Sequence, residues 1–288
     1  MSSKDSAEMA IILDGKETSE TMMAELQVRV EELKAKEVTP TLALILTGGD
    51  KYSRRYVKMK VKRAERIGIE THLYNLKETT TKETVELVER LCGDPKIHGV
   101  MIQLPVAKGL NEGTIVKAIN PEKDVDGISP LTLGKILLGE ASFLPAGVDA
   151  IFELFRRYGL DPEGKHWVVA GSTNWLGKPL IAHLSNMGVQ ATFFDKDDPM
   201  MSELVMKADV LCTELYRKHA ITAGMVKPGV IILDNGNNYE GKKVFGDVDM
   251  DAVVEVAEAI TPVPGGLGPL LITMLLANTL KAAGKSIA

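Results

Sequence analysis

Short apolar runs alternate with amphipathic stretches along the first half of the chain. Ala10–Leu13 has the character of a short strand, and Ser19–Ala35 places Met22, Leu26, Val30 and Leu33 at helical spacing. Leu42–Leu46 is a second apolar run. It closes on the turn Thr47-Gly-Gly-Asp50 and feeds a helix that begins in Ser53–Lys62. A strand near Glu70–Tyr74, a helix over Lys82–Cys92 and a strand at His98–Gln103 continue the alternation, and Pro105 stops the last ladder. Hairpin signals are few. The order predicts a parallel sheet covered by helices. Ligands gather beyond the carboxyl ends of such strands, where Thr47–Lys60 and Gln103 can face one another.

The second half repeats the theme with different punctuation. Asn120–Gly127 is turn-rich and carries Asp124 and Asp126, either as loop-forming Asx residues or as ligand contacts. Leu144-Pro-Ala-Gly147 then leads into a helix, Ala150–Tyr158, and a second domain. His166–Ala170 is an apolar strand, Gly171-Ser-Thr-Asn-Trp-Leu-Gly177 a tight turn, Lys178–Met187 a helix, and Val189–Phe194 a strand that ends in Asp195-Lys-Asp-Asp198. A glycine turn at a helix N-terminus lets backbone approach a pyrophosphate, and an acid after the second strand suits ribose hydroxyls. The glycine spacing is not Gly-x-Gly-x-x-Gly, so an ordinary packing turn stays open as the other reading. Strands at Val210–Cys212 and Val230–Leu233, the polar loop Asp234-Asn-Gly-Asn-Asn238 and Gly246-Asp-Val248 follow. Ile260–Pro269, rich in proline and glycine, precedes an apolar helix, Leu270–Ala282. The chain shows no internal repeat and no low-complexity tract.

Composition narrows the class. At 288 residues, 45% hydrophobic and 25% charged, the chain is long enough for two domains with full cores. A net charge of −5 with signs interspersed argues against nucleic-acid binding. Cys92 and Cys212 lie far apart in apolar runs, are expected as buried free thiols, and form no metal pattern with the histidines. The opening Met1–Glu8 is polar and acid-bearing, and Pro269–Ala277 is too short to span a bilayer. The expectation is a cytoplasmic protein with no membrane partner.

Candidate chemistry centres on Ser53–Lys62. Tyr56 and Lys60 are four apart and share a helix face. Lys58, Lys62 and Arg63 crowd Lys60, and their charges together with burial would lower its pKa and make it a proton carrier near neutrality. A basic, solvated helix with Tyr56 packed inward is the alternative.

Four segments, in order, resemble the bifunctional methylenetetrahydrofolate dehydrogenase/methenyltetrahydrofolate cyclohydrolase family. They are Ser53-x-x-Tyr56-x-x-x-Lys60, Gln103-Leu104-Pro105, Pro121-x-Lys123-Asp124-Val125-Asp126-Gly127 and Thr261-Pro-Val-Pro264-Gly265-Gly266-x-Gly268-Pro269. The resemblance implies an α/β catalytic domain over residues 1–148, completed by 268–288, and a Rossmann-like dinucleotide-binding domain over 149–267. Folate would lie in the cleft between them, and the subunit would form a homodimer. It implies Lys60 as general acid/base, Gln103 hydrogen-bonding near it, Tyr56 along the folate, and Asp126 on the pterin's amino-pyrimidine edge, with Pro264, Gly265 and Gly266 also at the substrate. Positive side chains around Lys58 and Lys62 would meet the glutamate tail. Gly171, Ser172, Thr173, Gly177, Asp195, Asn235 and Asn237 are the expected NAD or NADP contacts.

Departures from the family pattern cluster in the cofactor half. The usual Gly-Arg-Ser is Gly171-Ser172-Thr173, Pro-Cys-Thr-Pro-x-Gly is Pro145-Ala-Gly-Val-Asp-Ala150, and the Cys-His-Ser region is Asp195-Lys-Asp-Asp198. Ala-x-Gly-x-Pro has become Cys212-Thr-Glu-Leu-Tyr-Arg217, Asp-Val-Gly-Ile-Asn is Asp234-Asn-Gly-Asn-Asn238, and Gly-Pro-Met-Thr is Gly268-Pro-Leu-Leu271. Losing the arginine and gaining three acids near the ribose should repel a 2′-phosphate, which favours NAD over NADP. Alternatively, Leu215 and Tyr216 obstruct the cofactor and only cyclohydrolase activity survives. A silent folate- or nucleotide-binding paralogue is the third reading, and joint retention of Lys60, Gln103 and Asp126 argues against it.

Overall fold

The computed structural model describes residues 9–48 and 51–286. The leader Met1–Glu8 and the Gly49-Asp50 half of the expected turn lie outside the described residues. In chain order the elements are β1 (Ile11–Ile12), α1 (Gly15–Ala35), β2 (Thr41–Thr47), α2 (Lys51–Arg66), β3 (Glu70–Leu76), α3 (Thr81–Gly93), β4 (Gly99–Ile102), α4 (Glu112–Lys117), α5 (Pro130–Leu137) and α6 (Ala146–Tyr158). They continue with β5 (Trp167–Ala170), α7 (Gly177–Asn186), β6 (Ala191–Phe194), α8 (Met201–Val205), β7 (Val210–Thr213), β8 (Val230–Asp234), β9 (Asn238–Glu240), β10 (Lys243–Phe245), α9 (Met250–Val253), β11 (Ala257–Ile260) and α10 (Leu267–Lys285).

The chain divides into two units. One holds residues 19–149 and 271–288, the other residues up to Thr18 and 150–270. In the first, β2 lies between β3 and β4 in a parallel sheet ordered β3-β2-β4. All seven residues of β2 are buried, which is why it reads as an unbroken apolar run. Leu42, Leu44 and Met101 pack with Met23, Leu26 and Val30 of α1 and with Ile272, Leu275, Leu276 and Leu280 of α10. The C-terminal helix therefore completes this core. Helix α10 is long and apolar enough to cross a membrane by length and composition, beyond what the Pro269–Ala277 run suggested, but two-thirds of it is buried inside the protein. Its apolar face is spent on the core.

The second unit holds a six-stranded parallel sheet ordered β1-β11-β8-β7-β5-β6, and β9 and β10 form a separate antiparallel hairpin. The sequence boundaries assigned residues 1–148 to the catalytic domain. The described N-terminal segment instead joins the second unit, because β1 pairs with β11 at Ile11↔Ala259 and Ile12↔Ile260. After β5 the chain goes out to β6 and then crosses to β7 on the opposite side of β5. Strand order reverses there, and such a switch point opens a crevice at the strand ends. The first unit has the same device: β3 and β4 flank β2 on opposite sides.

Candidate active site

Helix α2 is strongly basic, yet Ser53, Val57 and Ala64 are buried. Lys60 falls between Val57 and Ala64 on the same stripe, at the three- and four-residue spacing that faces a core. It is half-buried. Its Nζ donates to Gln103 Oε1 at 3.1 Å and approaches Met101 Sδ at 3.6 Å. Gln103 follows β4 and extends its ladder through a 2.9 Å bond from its N–H to the Ile45 carbonyl. Its Nε2 donates to the Leu104 carbonyl at 2.8 Å, so its amide oxygen is the atom that faces the lysine. Loss of solvent lowers the Lys60 pKa below the ordinary lysine range, and the negative charge of Asp126 opposes that shift. Lys58 and Lys62 are exposed and are not among the causes. The crowding invoked from sequence gives way to burial.

Asp126 is the other half of a coupled pair. Burial raises its carboxyl above the usual range, Lys60 pulls it down, and Asp124 pushes it further up. The loop that presents it is built by Asp124, whose side chain is fully buried and accepts from the N–H groups of Gly127 (3.1 Å), Ile128 (3.3 Å) and Ser129 (2.8 Å). Asp124 thus takes the loop-forming role that was one of the two readings the sequence left open. Gly127 has φ +70°, and a Cβ there would lie 2.6 Å from Pro145 N. Asn278 of α10 donates to the Val125 carbonyl at 3.1 Å and holds the loop from the other side. Tyr56 lies one turn before Lys60 and is 41% exposed. Lys60, Gln103 and Asp126 are brought together, with Tyr56 on the adjoining surface.

In the second unit a cavity of about 270 Å³ opens at the switch point, lined by Gly171, Ser172, Thr173, Trp175, Asp195, Lys196, Glu214 and Tyr216. Gly171 (φ +131°) could carry no Cβ, which would lie 2.7 Å from the Glu214 carbonyl oxygen, and a Cβ on Gly177 would fall 2.2 Å from the Gly171 oxygen. The strand, turn and helix are packed as closely as a dinucleotide turn requires. Helix α7 begins without a side-chain cap: the Lys178 N–H bonds the Thr173 carbonyl at 3.0 Å, residue 179 is a proline, and the Gly177 N–H faces the Glu214 carboxylate on the cavity wall. These residues fit NAD(P).

The expected cofactor contacts divide. Gly171, Ser172, Thr173 and Asp195 line the cavity, while Gly177 sits beneath the turn. Asn235 and Asn237 do not line it. The Asn235 N–H is spent on the Thr213 carbonyl at 2.9 Å, and Asn237 is exposed. Of the three acids after β6, Asp197 pairs with Arg217 and Asp198 accepts from the Met200 N–H, so Asp195 alone lines the cavity, beside Lys196. Leu215 does not obstruct it. That side chain is buried in the core of the second unit, and Tyr216, at φ +55°, reaches the cavity instead. Asp247 holds this segment by accepting from the Leu215 and Arg217 N–H groups at 2.6 and 2.9 Å. Sequence reasoning missed Glu214, Trp175 and Asn278. A glutamate directly after an apolar strand, and an asparagine in an apolar helix, were the available signals.

The Pro-Val-Pro-Gly-Gly loop follows β11 in the second unit. Thr261 Oγ1 accepts from the Asp234 N–H at 2.7 Å, and the Gly265 carbonyl accepts from the Lys16 N–H at 2.9 Å. Pro264 is exposed and Gly266 buried, where a Cβ would meet Thr261 at 2.7 Å.

Both halves of the chain match known proteins. Residues 13–126 match the model of the tetrahydrofolate dehydrogenase/cyclohydrolase catalytic domain, and residues 145–287 match that of its NAD(P)-binding domain. The bifunctional protein FolD of Bacillus pumilus is 42% identical over 281 residues, covering 97% of this chain and 99% of the relative. A crystal structure of the bifunctional FolD methylenetetrahydrofolate dehydrogenase/cyclohydrolase from Campylobacter jejuni superposes with a TM-score of 0.93 at 36% identity, over 96% of this chain and 99% of that one. The Trypanosoma brucei enzyme, solved with NADP cofactor and inhibitor, gives a TM-score of 0.90 at 28% identity, over 97% and 99% of the two chains. With both domain models matched in order over nearly the whole length, the chain belongs to the tetrahydrofolate dehydrogenase/cyclohydrolase family.

Proposed function

We propose that the protein oxidises 5,10-methylenetetrahydrofolate to 5,10-methenyltetrahydrofolate with NAD(P) and hydrolyses the product to 10-formyltetrahydrofolate. The observation that carries this reading is the Lys60 amine, drawn out of solvent, 3.1 Å from Gln103 Oε1 and electrostatically coupled to Asp126. NAD(P), when bound, supplies the hydride acceptor. In the hydrolytic step water adds to the cationic methenyl carbon, and neutral Lys60 takes the proton that the water loses. Protonated Lys60 then returns a proton to the departing ring nitrogen as the carbon–nitrogen bond breaks. Gln103 accepts one N–H of the amine and so fixes where its lone pair points. Asp126 accepts two N–H bonds from the amino-pyrimidine edge, and Tyr56 stacks along the folate.

NAD is the preferred cofactor in this reading. Asp195 follows β6, where a dinucleotide's ribose hydroxyls are held, and no arginine lines the cavity, so a 2′-phosphate meets a carboxylate there with Lys196 as the one lining cation. Side-by-side initial rates with the two cofactors test the assignment. A higher kcat/KM for NAD is expected, a clear NADP preference overturns the cofactor choice, and reduction of neither overturns the dehydrogenase half. The reading also carries a homodimer in the cytoplasm. Both cysteines are free thiols, as a reducing compartment favours, and light scattering of the purified chain tests the dimer.

A further inference from the structure

Glu214 follows β7 at the switch point and is 3% exposed, although it lines the cavity. Its carboxylate accepts from Thr173 Oγ1 at 2.5 Å and from the Tyr216 hydroxyl at 3.2 Å. The Trp175 side chain and the backbone N–H of Gly177, the first residue of α7, also lie near enough to favour its charged form. A helix N-terminus with close-packed glycines is the seat that a dinucleotide's pyrophosphate takes in this kind of unit. Here the protein's own carboxylate already holds that seat, with two hydroxyl, indole and backbone donors turned toward it.

We propose that Glu214 is an internal competitor of the cofactor's pyrophosphate, a residue that sets dinucleotide affinity by occupying the anion seat at the start of α7. The proposal rests on reading this cavity as the NAD(P) site. The pyrophosphate carries negative charge throughout the working pH range, so it cannot share those donors with an ionised carboxylate in a partly desolvated pocket without repulsion. Entry requires Glu214 to swing away from Thr173 and Gly177 or to take up a proton. Burial already favours the protonated acid, raising its pKa despite the hydrogen bonds. The charged and titratable groups around it are Tyr216 and Arg217 on its own segment, Asp195 and Lys196 after β6, and Cys212, Asp234 and Asp247 behind it, while Lys178 on α7 is turned to Asn174 on the exposed side.

Calorimetric titration of the full chain with NAD, NADP and inorganic pyrophosphate tests this, on the wild type, Glu214→Gln and Glu214→Ala. Urea midpoints by circular dichroism serve as the fold control. Both variants should bind NAD at least tenfold more tightly than wild type at pH 8 and should bind inorganic pyrophosphate in competition with NAD. Wild-type affinity should rise as the pH falls toward 5.5, which closes the gap to Glu214→Gln. Unchanged or weaker NAD binding by both folded variants, with wild type binding normally, overturns the role of Glu214 alone. Binding of neither dinucleotide by any of the three proteins overturns the assignment of the cavity as well.

Discussion

Asp124→Ala should collapse the loop that presents Asp126 without touching the proposed chemistry directly. Three backbone donors converge on the Asp124 carboxylate. The Gly127 N–H keeps a second acceptor in the Asp124 carbonyl at 3.0 Å, so truncation orphans two donors, those of Ile128 and Ser129. Each buried donor left unmade costs about 1–3 kcal/mol, which gives a loss of about 2–6 kcal/mol. Asp124→Asn should be milder, at about 1–3 kcal/mol, because its carbonyl oxygen still accepts while its NH2 faces the remaining N–H group. Urea unfolding followed by circular dichroism reads the stability change as a shift in midpoint at constant slope. Hydrolysis of methenyltetrahydrofolate by whatever fraction stays folded reads the loss of Asp126 presentation. An Asp124→Ala midpoint within about 0.5 kcal/mol of wild type would refute the reasoning, because it would show that the buried carboxylate is not what shapes the loop.

Two further outcomes follow from the titrating groups. Burial pushes Asp234 up to about 6, above its unfolded value near 3.9. Between roughly pH 4 and 6 the folded chain therefore binds a proton that the unfolded chain does not. This group's contribution to stability is full below about pH 4 and is lost as pH rises through about 6, by at most about 3 kcal/mol. Urea midpoints across that window, wild type minus Asp234→Asn, should show this slope, and parallel curves would count against it. In the cyclohydrolase reaction, activity should climb with pH as Lys60 loses its proton, with the limb lying below the ordinary lysine range. Asp126→Asn removes the charge that holds the Lys60 pKa up and should move that limb to lower pH. A limb that stays in place would uncouple the pair.

Much of the architecture was legible because local and global signals agree. The buried strands β2, β5, β7 and β8 read as apolar runs, and each lies in a parallel sheet whose helices carry spaced apolar residues. Strand β11 was not legible. Its sequence, Ala-Glu-Ala-Ile, has weak strand propensity and owes its conformation to pairing with β8 and β1. The two-residue β1 depends on a partner about 250 positions away, so no local pattern could have assigned it to the second unit. The short hairpin β9–β10 and helices α8 and α9 are too brief to leave a period.

The site was legible where a motif fixes a helix face. Tyr56 and Lys60 follow from four-residue spacing, and Lys60 stands out as a charge on the core-facing stripe. Glu214 was not, because its significance lies in the Gly171–Gly177 turn that approaches it from another part of the chain. Nor could the sequence divide Asp124 from Asp126, two residues apart in one loop, since only the backbone's path decides which carboxylate gathers the loop's N–H groups.

Single-turnover hydrolysis of methenyltetrahydrofolate by Lys60→Met tests the central claim most directly, since methionine keeps much of the side chain's length and bulk but cannot exchange a proton. With the circular dichroism spectrum and urea midpoint retained, the rate should fall by about 10²–10⁴-fold, the range that a positioned acid–base group contributes. A folded Lys60→Met variant that hydrolyses the substrate within a few-fold of wild type would contradict the account.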